Sequence, residues 1–273
     1  MSCSNLWTTS PSYFFLVPLT THSISLSVLA PVDADASSLP PVILEAGAGA
    51  FSYGLVALAR SISTFAQVFT HDRSGLGLSA PFPDSVECTS LQHVRILREL
   101  LKVAAIESPF VLCGHSYGGN LMRSFAEEFP EDVMALVLTD AVPAVPEKPV
   151  GRLLGVLLRK GGYLAAVGLS VMSKLTIEEQ IREKELDAVG KESGAVFKEI
   201  RQIRAGVEEV SQRQGVRFVD GKLAGARHSL ASLRVCVASG GLRDDFRKIY
   251  EFAVQQGNAS EEAREEMRAF LEE

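Results

Sequence analysis

Cysteine is scarce in this chain of 273 residues, and the few cysteines lie far apart. They are Cys3, Cys88, Cys113 and Cys236. No Cys-x-x-Cys pair occurs, which argues against a disulfide framework and against a metal site. We therefore predict a reducing, cytoplasmic setting, with neither a metal nor an organic cofactor.

A surplus of basic charge is also lacking. The chain carries 27 lysines and arginines against 33 aspartates and glutamates, so its net charge is -6. No basic stripe could neutralise the phosphates of a nucleic acid, and we exclude nucleic acid as a partner on this ground. A small-molecule substrate is the partner that we expect.

Long uncharged apolar segments are missing as well. The nearest approach is residues 150–172, and Arg152, Arg159 and Lys160 interrupt it. It is too charged to span a bilayer, so we predict no stable membrane insertion. Two interpretations remain: a lid helix over a pocket, which we favour, or an amphipathic segment that docks on a membrane surface. Residues 1–7 have no basic n-region, and we predict no signal peptide.

Apolar residues are plentiful at 47%, enough for one large α/β domain with an inserted subdomain. Residues 13–30 alternate apolar and polar positions, which predicts antiparallel strands at a sheet edge. Between residues 42 and 140, short apolar strands alternate with helical patterns, which predicts βαβ units and a mostly parallel central sheet with flanking helices. Residues 150–215 are helical in composition and predict a cap inserted between two strands.

A Gly-x-Ser-x-Gly pentapeptide lies between a predicted strand and a predicted helix. It runs from Gly114 to Gly118 around Ser116, after apolar residues 110–113 and before the helical pattern of residues 119–126. This context indicates a nucleophile elbow, a sharp turn that lifts a serine hydroxyl above the end of a sheet. Glycines suit it because strained backbone and close packing leave no room for Cβ atoms. The alternative is a glycine-rich turn with a helix-capping serine.

Three motifs together make the chain resemble the α/β-hydrolase fold family, in its cap-bearing branch of serine hydrolases. The elbow is the first. Residues 71–79, with Asp72 and Arg73, are similar to the family's Asp-Arg-x-Gly-x-Gly-x-Ser loop, which shapes the floor of the active site. Residues 44–49 stand at the place of the family's His-Gly oxyanion loop, with Ala46 where histidine is common.

The resemblance implies a domain organisation. Residues 1–145 would form the N-terminal part of the core, residues 146–228 a helical cap, and residues 229–273 the C-terminal part of the core. The family fold continues for about one more strand and one more helix than this sequence does. We therefore expect residues 232–238 to form the last strand at an open sheet edge, through which copies of the chain could oligomerise.

The resemblance also implies acyl transfer to water. Ser116 would attack the carbonyl carbon of a small or medium apolar ester or thioester. The backbone N–H groups of Tyr117 and Ala48 would hold the resulting oxyanion. Carbon–carbon bond hydrolysis and acyl transfer to another acceptor remain alternatives on this fold. Epoxide hydrolases and dehalogenases need a carboxylate where Ser116 stands, which disfavours those reactions.

A serine needs a base to take its proton, and in this fold the order is Ser, then Asp or Glu, then His. Asp140 and Asp244 are both placed to be the acid, although a turn residue and a helix N-cap are their structural alternatives. Only His228 follows Asp140, and it precedes the last predicted strand, as a linker residue would. With no evident base, we expect weak esterase turnover, and a non-catalytic binding protein on the same scaffold is the competing hypothesis.

Overall fold

The computed structural model describes most of the N-terminal half of the chain and parts of the remainder. The described residues are 12–30, 39–83, 89–141, 176–192, 217–219, 222–224, 233–238, 247, 251, 254, 261 and 265. Asp244 and His228 lie outside these residues, as does most of the predicted cap.

The chain divides into two compact units. The first is Met1–Val145 with Leu175–Ala238, and the second is Pro146–Lys174 with Ser239–Glu273. The first contains every described strand. The described residues of the second are five single helical positions between residues 247 and 265. The three-part division at residues 145 and 228 remains a prediction.

Seven of the described strands form one sheet in the order β1-β2-β4-β3-β5-β6-β9. The strands are β1 Ser12–Pro18, β2 Ser23–Leu29, β3 Val42–Glu45, β4 Val68–His71, β5 Phe110–His115, β6 Val133–Thr139, β7 Arg217–Val219, β8 Lys222–Ala224 and β9 Arg234–Ala238. β2 pairs antiparallel with β1 and with β4, whereas β4, β3, β5, β6 and β9 run parallel. The predicted α/β architecture with a mostly parallel sheet is confirmed.

Helices connect the parallel strands, as the alternating pattern predicts. The described α-helices are α1 Val56–Ile62, α2 Ser90–Val103, α3 Tyr117–Glu128 and α4 Ile177–Glu192, and short 3-10 helices span Ser52–Leu55 and Pro130–Asp132. Helix α2 is capped at its N-terminus by Thr89, whose side chain accepts a hydrogen bond from the backbone N–H of Gln92 at 3.1 Å. It buries Leu97, Leu100 and Leu101 in the core, because residues three and four apart share one face of a helix.

The centre of the sheet is buried on both faces. Every residue of β3 and β4 is buried, as expected of parallel strands covered by helices on both sides. Glu45, His71, Asp72 and Arg73 are buried at the carboxyl ends of these two strands. In an open α/β sheet, ligands bind at the carboxyl ends of the strands, so this polar cluster lies at the edge where a site is expected.

Strand β9 pairs in parallel with β6 and is the last described strand of the sheet on that side. Its residues are mostly exposed, and Val237 keeps 46% of its surface exposed. This agrees with the predicted last strand at residues 232–238, although the described strand begins at Arg234. Oligomerisation through this edge remains a prediction.

A small antiparallel hairpin of β7 and β8 lies within residues 146–228, the segment predicted as a helical cap, but after the helical pattern of residues 150–215, and it was not predicted. Its residues alternate weakly and its strands are three residues long, too short for a periodic signal. Helix α4, by contrast, agrees with the helical pattern predicted there. None of the described helices is long and apolar enough to cross a bilayer.

Candidate active site

Ser116 occupies a strained turn between strand β5 and helix α3. Its backbone has φ 52° and ψ -120°, a region that L-residues other than glycine rarely adopt. The Ser116 N–H donates to the carbonyl of Thr139 on β6 at 3.0 Å, and its own carbonyl accepts from Gly119 N–H at 3.0 Å. The predicted tight turn is therefore present, held from both sides by backbone hydrogen bonds.

The glycines around Ser116 permit backbone contacts that a side chain would block. A Cβ on Gly114 would lie 2.5 Å from the carbonyl oxygen of Gly118. A Cβ on Gly118 would lie 2.4 Å from the carbonyl oxygen of Glu45 and 2.5 Å from that of Ala46. Helix α3 thus starts in direct contact with the end of β3, and the sequence-based reason for glycine at these positions agrees with the geometry.

The predicted oxyanion loop lies beside the elbow. A Cβ on Gly47 would be 3.1 Å from Nδ1 of His115 and 3.4 Å from Cβ of Ser116. A tight turn follows, in which Ala50 N–H donates to the Gly47 carbonyl at 3.2 Å and Gly49 has φ 65°. The structure therefore brings the loop that contains Ala48 next to the elbow serine, although the two motifs are far apart in sequence.

Tyr117 is the first residue of α3, and its side chain is buried. Its hydroxyl lies 3.0 Å from Oγ of Ser90, and the Arg73 guanidinium lies 5.6 Å from the centre of its ring. At the first position of a helix the backbone N–H has no partner within the helix and carries part of the positive end of the helix dipole. Tyr117 therefore lies at the positive end of this helix dipole, directly after Ser116, and its role as an oxyanion donor remains a prediction.

Asp72 connects three segments through its buried carboxylate. It accepts hydrogen bonds from Ser25 Oγ at 2.7 Å, from the N–H of Ser52 at 2.8 Å and from the N–H of Leu78 at 2.9 Å. The closeness of Gly77 leaves no room for a side chain there, since a Cβ would lie 2.2 Å from Asp72 Oδ2. Asp72 is therefore a scaffold residue of the loop, which is the role that the motif implies.

Arg73 lies in a buried polar cluster with two residues that the sequence analysis did not assign. Its Nη1 lies 2.6 Å from Oε1 of Glu45, and Nε2 of His71 lies 3.2 Å from Oε2 of the same carboxylate. The side chains of all three are at most 4% exposed. A signal was present in the sequence, because a carboxylate inside an otherwise apolar strand needs a cation nearby.

Asp140 follows β6 and is the one predicted acid that lies within the described residues. It has φ 44°, and its N–H donates to the carbonyl of Ala238 on β9 at 2.9 Å. The next residue, Ala141, is close to α3, since a Cβ on Gly119 would lie 2.5 Å from its Cβ. Asp140 is therefore held at the same edge of the sheet as Ser116.

The sequence model of a protein family, described as the alpha/beta hydrolase fold, matches residues 40–185 of this chain. The chain belongs to the α/β-hydrolase fold family. This match confirms the predicted fold family, whereas the cap-bearing branch of serine hydrolases remains a prediction.

Individual relatives agree with this assignment. The chain is 25% identical over 238 residues to an AB hydrolase superfamily protein of Gibberella zeae, a match over 85% of this chain and 71% of that protein. It is 29% identical over 154 residues to the probable transporter efuK of Hormonema carpetanum. That match covers 55% of this chain but only 22% of the relative, so the chain spans a small part of that longer protein.

Solved structures show the same fold. The epoxide hydrolase VrEH1 of Vigna radiata superposes with a TM-score of 0.56 and 14% identity, over 90% of this chain and 99% of that one. At this identity the similarity establishes the fold of this chain and not its reaction.

The histidines of this chain do not complete a triad within the described residues. Of His22, His71, His93 and His115, none has a ring nitrogen hydrogen-bonded to Ser116 Oγ in that part of the chain. The His115 side chain keeps an exposed surface, yet the atoms packed around its ring lower its pKa below the usual value. The Asp140 carboxylate acts in the opposite direction.

Cys113 is two strand residues before the elbow histidine, and its thiol is not a competing nucleophile. Burial raises the pKa of this thiol to about 11, and the charge of Cys236 on β9, two strands away in the sheet, acts in the same direction. The thiolate is the reactive form of cysteine, so Cys113 stays protonated and unreactive near neutral pH. Among the described residues, no group of three histidine, cysteine, aspartate or glutamate side chains could hold a metal ion.

A surface groove of about 310 Å³ lies elsewhere on the protein. Arg95, Arg98 and Lys102 of helix α2 line it together with Phe129. Phe129 is the C-cap of α3 and Ser116 its N-cap, which places the groove and the elbow about 20 Å apart at 1.5 Å per residue. The groove is therefore not part of the candidate active site.

Proposed function

We propose that this chain is a serine hydrolase that cleaves ester-type bonds in small or medium apolar substrates. The observation that carries the proposal is the strained backbone of Ser116 between β5 and the first turn of α3. Strain of this kind costs about 1–3 kcal/mol and persists where function requires it. A serine that only capped the helix would need no such conformation, and Ser116 makes no side-chain capping hydrogen bond.

The reaction begins with attack of Ser116 Oγ on the substrate carbonyl carbon. The carbonyl π electrons move to oxygen, and the Oγ proton passes to a base. The oxyanion lies between the N–H groups of Tyr117 and Ala48. Collapse of the intermediate expels the alcohol or thiol, which takes the proton from the base. Water then hydrolyses the acyl-enzyme by the same steps and releases the acid.

Asp140 or Asp244 orients the base in this proposal. Asp140 is supported by its position at the carboxyl end of β6, whose Thr139 carbonyl binds the N–H of Ser116. His228 is the first candidate base to test, because it is the histidine that follows Asp140 in the chain. A Ser–Asp pair without the base would still bind the carbonyl but would react slowly.

A binding protein on the hydrolase scaffold is the second candidate function. It is favoured by one observation, that no histidine among the described residues is hydrogen-bonded to Ser116 Oγ. Such a protein would keep the elbow and the oxyanion loop as a pocket for a carbonyl or carboxylate group. It would not turn over ester substrates.

The test is reaction of the purified chain with a fluorophosphonate probe and with p-nitrophenyl butyrate. The proposal expects phosphonylation of the peptide that contains Ser116, and ester hydrolysis that Ser116→Ala abolishes. Ser124→Ala is a matched control, because Ser124 is a buried serine further along the same helix. It should keep both reactions.

The outcomes separate the two candidates. A chain that binds the ester but neither hydrolyses it nor reacts with the probe is the binding protein. If His228→Ala lowers turnover as far as Ser116→Ala does, the base is assigned. Product with an acyl group on an added amine or alcohol instead of water would favour the acyltransferase alternative.

A further inference from the structure

The polar groups around the oxyanion loop point to a residue that sets its geometry. Arg73 donates from Nη1 to the carbonyl oxygen of Ala46 at 2.8 Å, and from Nη2 to that of Gly47 at 2.6 Å. A longer contact of 3.4 Å joins Nη2 to the carbonyl of Ala50. One guanidinium therefore binds three carbonyl oxygens of a single five-residue segment.

These contacts fix which way the peptide groups face. In a trans peptide the carbonyl of one residue and the N–H of the next point to opposite sides. The Gly47 carbonyl is directed at Arg73, so the N–H of Ala48 is directed away from it. Gly47 itself is in contact with the elbow, where a Cβ would lie 3.4 Å from Cβ of Ser116. Rotation of this one peptide would replace the N–H donor with a carbonyl oxygen.

Arg73 is in turn held by Glu45 and His71. Oε1 of Glu45 accepts from Arg73 Nη1 at 2.6 Å, and Oε2 lies 3.2 Å from His71 Nε2. A guanidinium is planar, and its N–H donors have a fixed geometry. The contact of Nη1 with Glu45 therefore also fixes the direction in which Nη2 donates. The ring of Tyr117 lies 5.6 Å from the guanidinium and adds a contact from the elbow helix.

We propose that Arg73 is a positioning residue that orients the 47–48 peptide, so that the Ala48 N–H donates a hydrogen bond to the oxyanion formed at Ser116. Glu45 and His71 hold Arg73 in the orientation that this requires. The proposal deepens the proposed function and rests on it for its catalytic consequence. Its structural content, the orientation of one peptide, does not depend on turnover.

Two variants separate positioning from stability. Arg73→Lys keeps a cation beside Glu45 but loses the planar fork that reaches both the Ala46 and the Gly47 carbonyls. Glu45→Gln with Arg73→Met removes both charges together and so leaves no unpaired buried ion. Arg98→Met is the control. It removes an arginine that pairs with Glu131 and Asp132 at the surface.

Turnover and structure are measured on the same proteins. We expect the double variant to lose about 100-fold in kcat, the effect of one lost oxyanion donor. Its KM should stay within about threefold of the wild-type value, because the donor acts on the transition state. The kcat of Arg73→Lys should lie between those of the wild type and the double variant. The kcat of Arg98→Met should equal that of the wild type. Crystal structures of the wild type and the double variant should differ in the orientation of the 47–48 peptide.

Each outcome decides the proposal. A folded double variant with wild-type kcat, or with an unchanged 47–48 peptide, overturns it. If the wild type itself shows no turnover, the proposed function fails, and the peptide orientation alone decides whether Arg73 positions the loop. If the double variant does not fold, kcat and the orientation of the 47–48 peptide are measured on Arg73→Lys instead. Wild-type kcat or an unchanged peptide in that variant would then overturn the proposal.

Discussion

At its N-terminal end helix α3 is held by backbone atoms in close contact, whereas at its C-terminal end it is held by side chains that reach solvent. Gly118 lies against the carbonyl oxygens of Glu45 and Ala46, and the N-cap Ser116 is strained. At the other end the Arg98 guanidinium stacks 3.9 Å from the centre of the Phe129 ring. The same arginine forms ion pairs with Asp132 at 2.9 Å and with Glu131 at 3.2 Å.

The contrast separates two physical tasks within one helix of 12 residues. Backbone contacts without side chains leave few alternative geometries, which suits an end that must hold a reacting group to within a fraction of an ångström. Exposed ion pairs tolerate substitution, because solvent replaces much of what they contribute. The N-terminal end should therefore be sensitive to a single added atom, and the C-terminal end should not.

The largest effect is expected at Gly118. Gly118→Ala would place a methyl group 2.4 Å from a backbone oxygen, so helix α3 or strand β3 must move. We expect the free energy of unfolding to fall by about 3 kcal/mol or more, measured by denaturant unfolding. Gly54→Ala, at an exposed glycine of the 3-10 helix, should change stability by less than about 0.5 kcal/mol. Equal denaturation midpoints for Gly118→Ala and Gly54→Ala would show that the N-terminal end of α3 is not unusually sensitive to an added methyl group.

Strain at Ser116 predicts the next effect. Both Ser116→Ala and Ser116→Gly remove the hydroxyl, but only glycine adopts φ 52° and ψ -120° without steric cost. The Ser116→Gly protein should be the more stable of the two by about 1 kcal/mol, and both should be inactive towards p-nitrophenyl butyrate. A glycine variant less stable than the alanine variant would show that the serine backbone is not strained.

Arg98 tests the other end of the helix. Arg98→Ala loses a ring contact and two partly exposed ion pairs, and its side chain is 26% exposed. We expect a loss of about 1 kcal/mol, part of which disappears at high salt. Ester turnover should not change. A loss of turnover would mean that the two ends of α3 are coupled.

The smallest effect concerns a proton near the elbow. Burial lowers the pKa of His115 and the Asp140 carboxylate partly opposes this, because a negative charge favours the imidazolium. Asp140→Asn should therefore lower the pKa of His115 further, as followed by NMR titration of its ring protons.

His22 is the internal control for that titration. Burial lowers its pKa too, but Glu99 and not Asp140 is the carboxylate that opposes the shift. Its pKa should stay unchanged in Asp140→Asn. Since the folded pKa of His115 is lowered, its contribution to stability is complete above the ordinary pKa of 6.5 and decreases as the pH falls below it. An unchanged His115 would place Asp140 too far away to act as a charge on the elbow.

Much of the fold was accessible from local patterns. The period of two in residues 13–30 and the apolar strands of the central sheet predicted elements that the structure contains. The hairpin of β7 and β8 was missed, because strands of three residues leave no periodic signal. Asp244 and His228 lie outside the described residues, so their predicted roles remain predictions.

The sequence by itself determined the position of the elbow, because the glycines, the serine and the flanking strand and helix are contiguous. It also determined that Asp72 and Arg73 belong to a loop at the end of a strand. Only the tertiary structure decided that Arg73 faces the carbonyls of Ala46 and Gly47 and pairs with Glu45, 28 positions away in the chain. That arrangement follows from the parallel pairing of β3 with β4, which brings the two strand ends together. No local pattern encodes a contact between separate strands, because its free energy is realised only after both have been buried in one sheet.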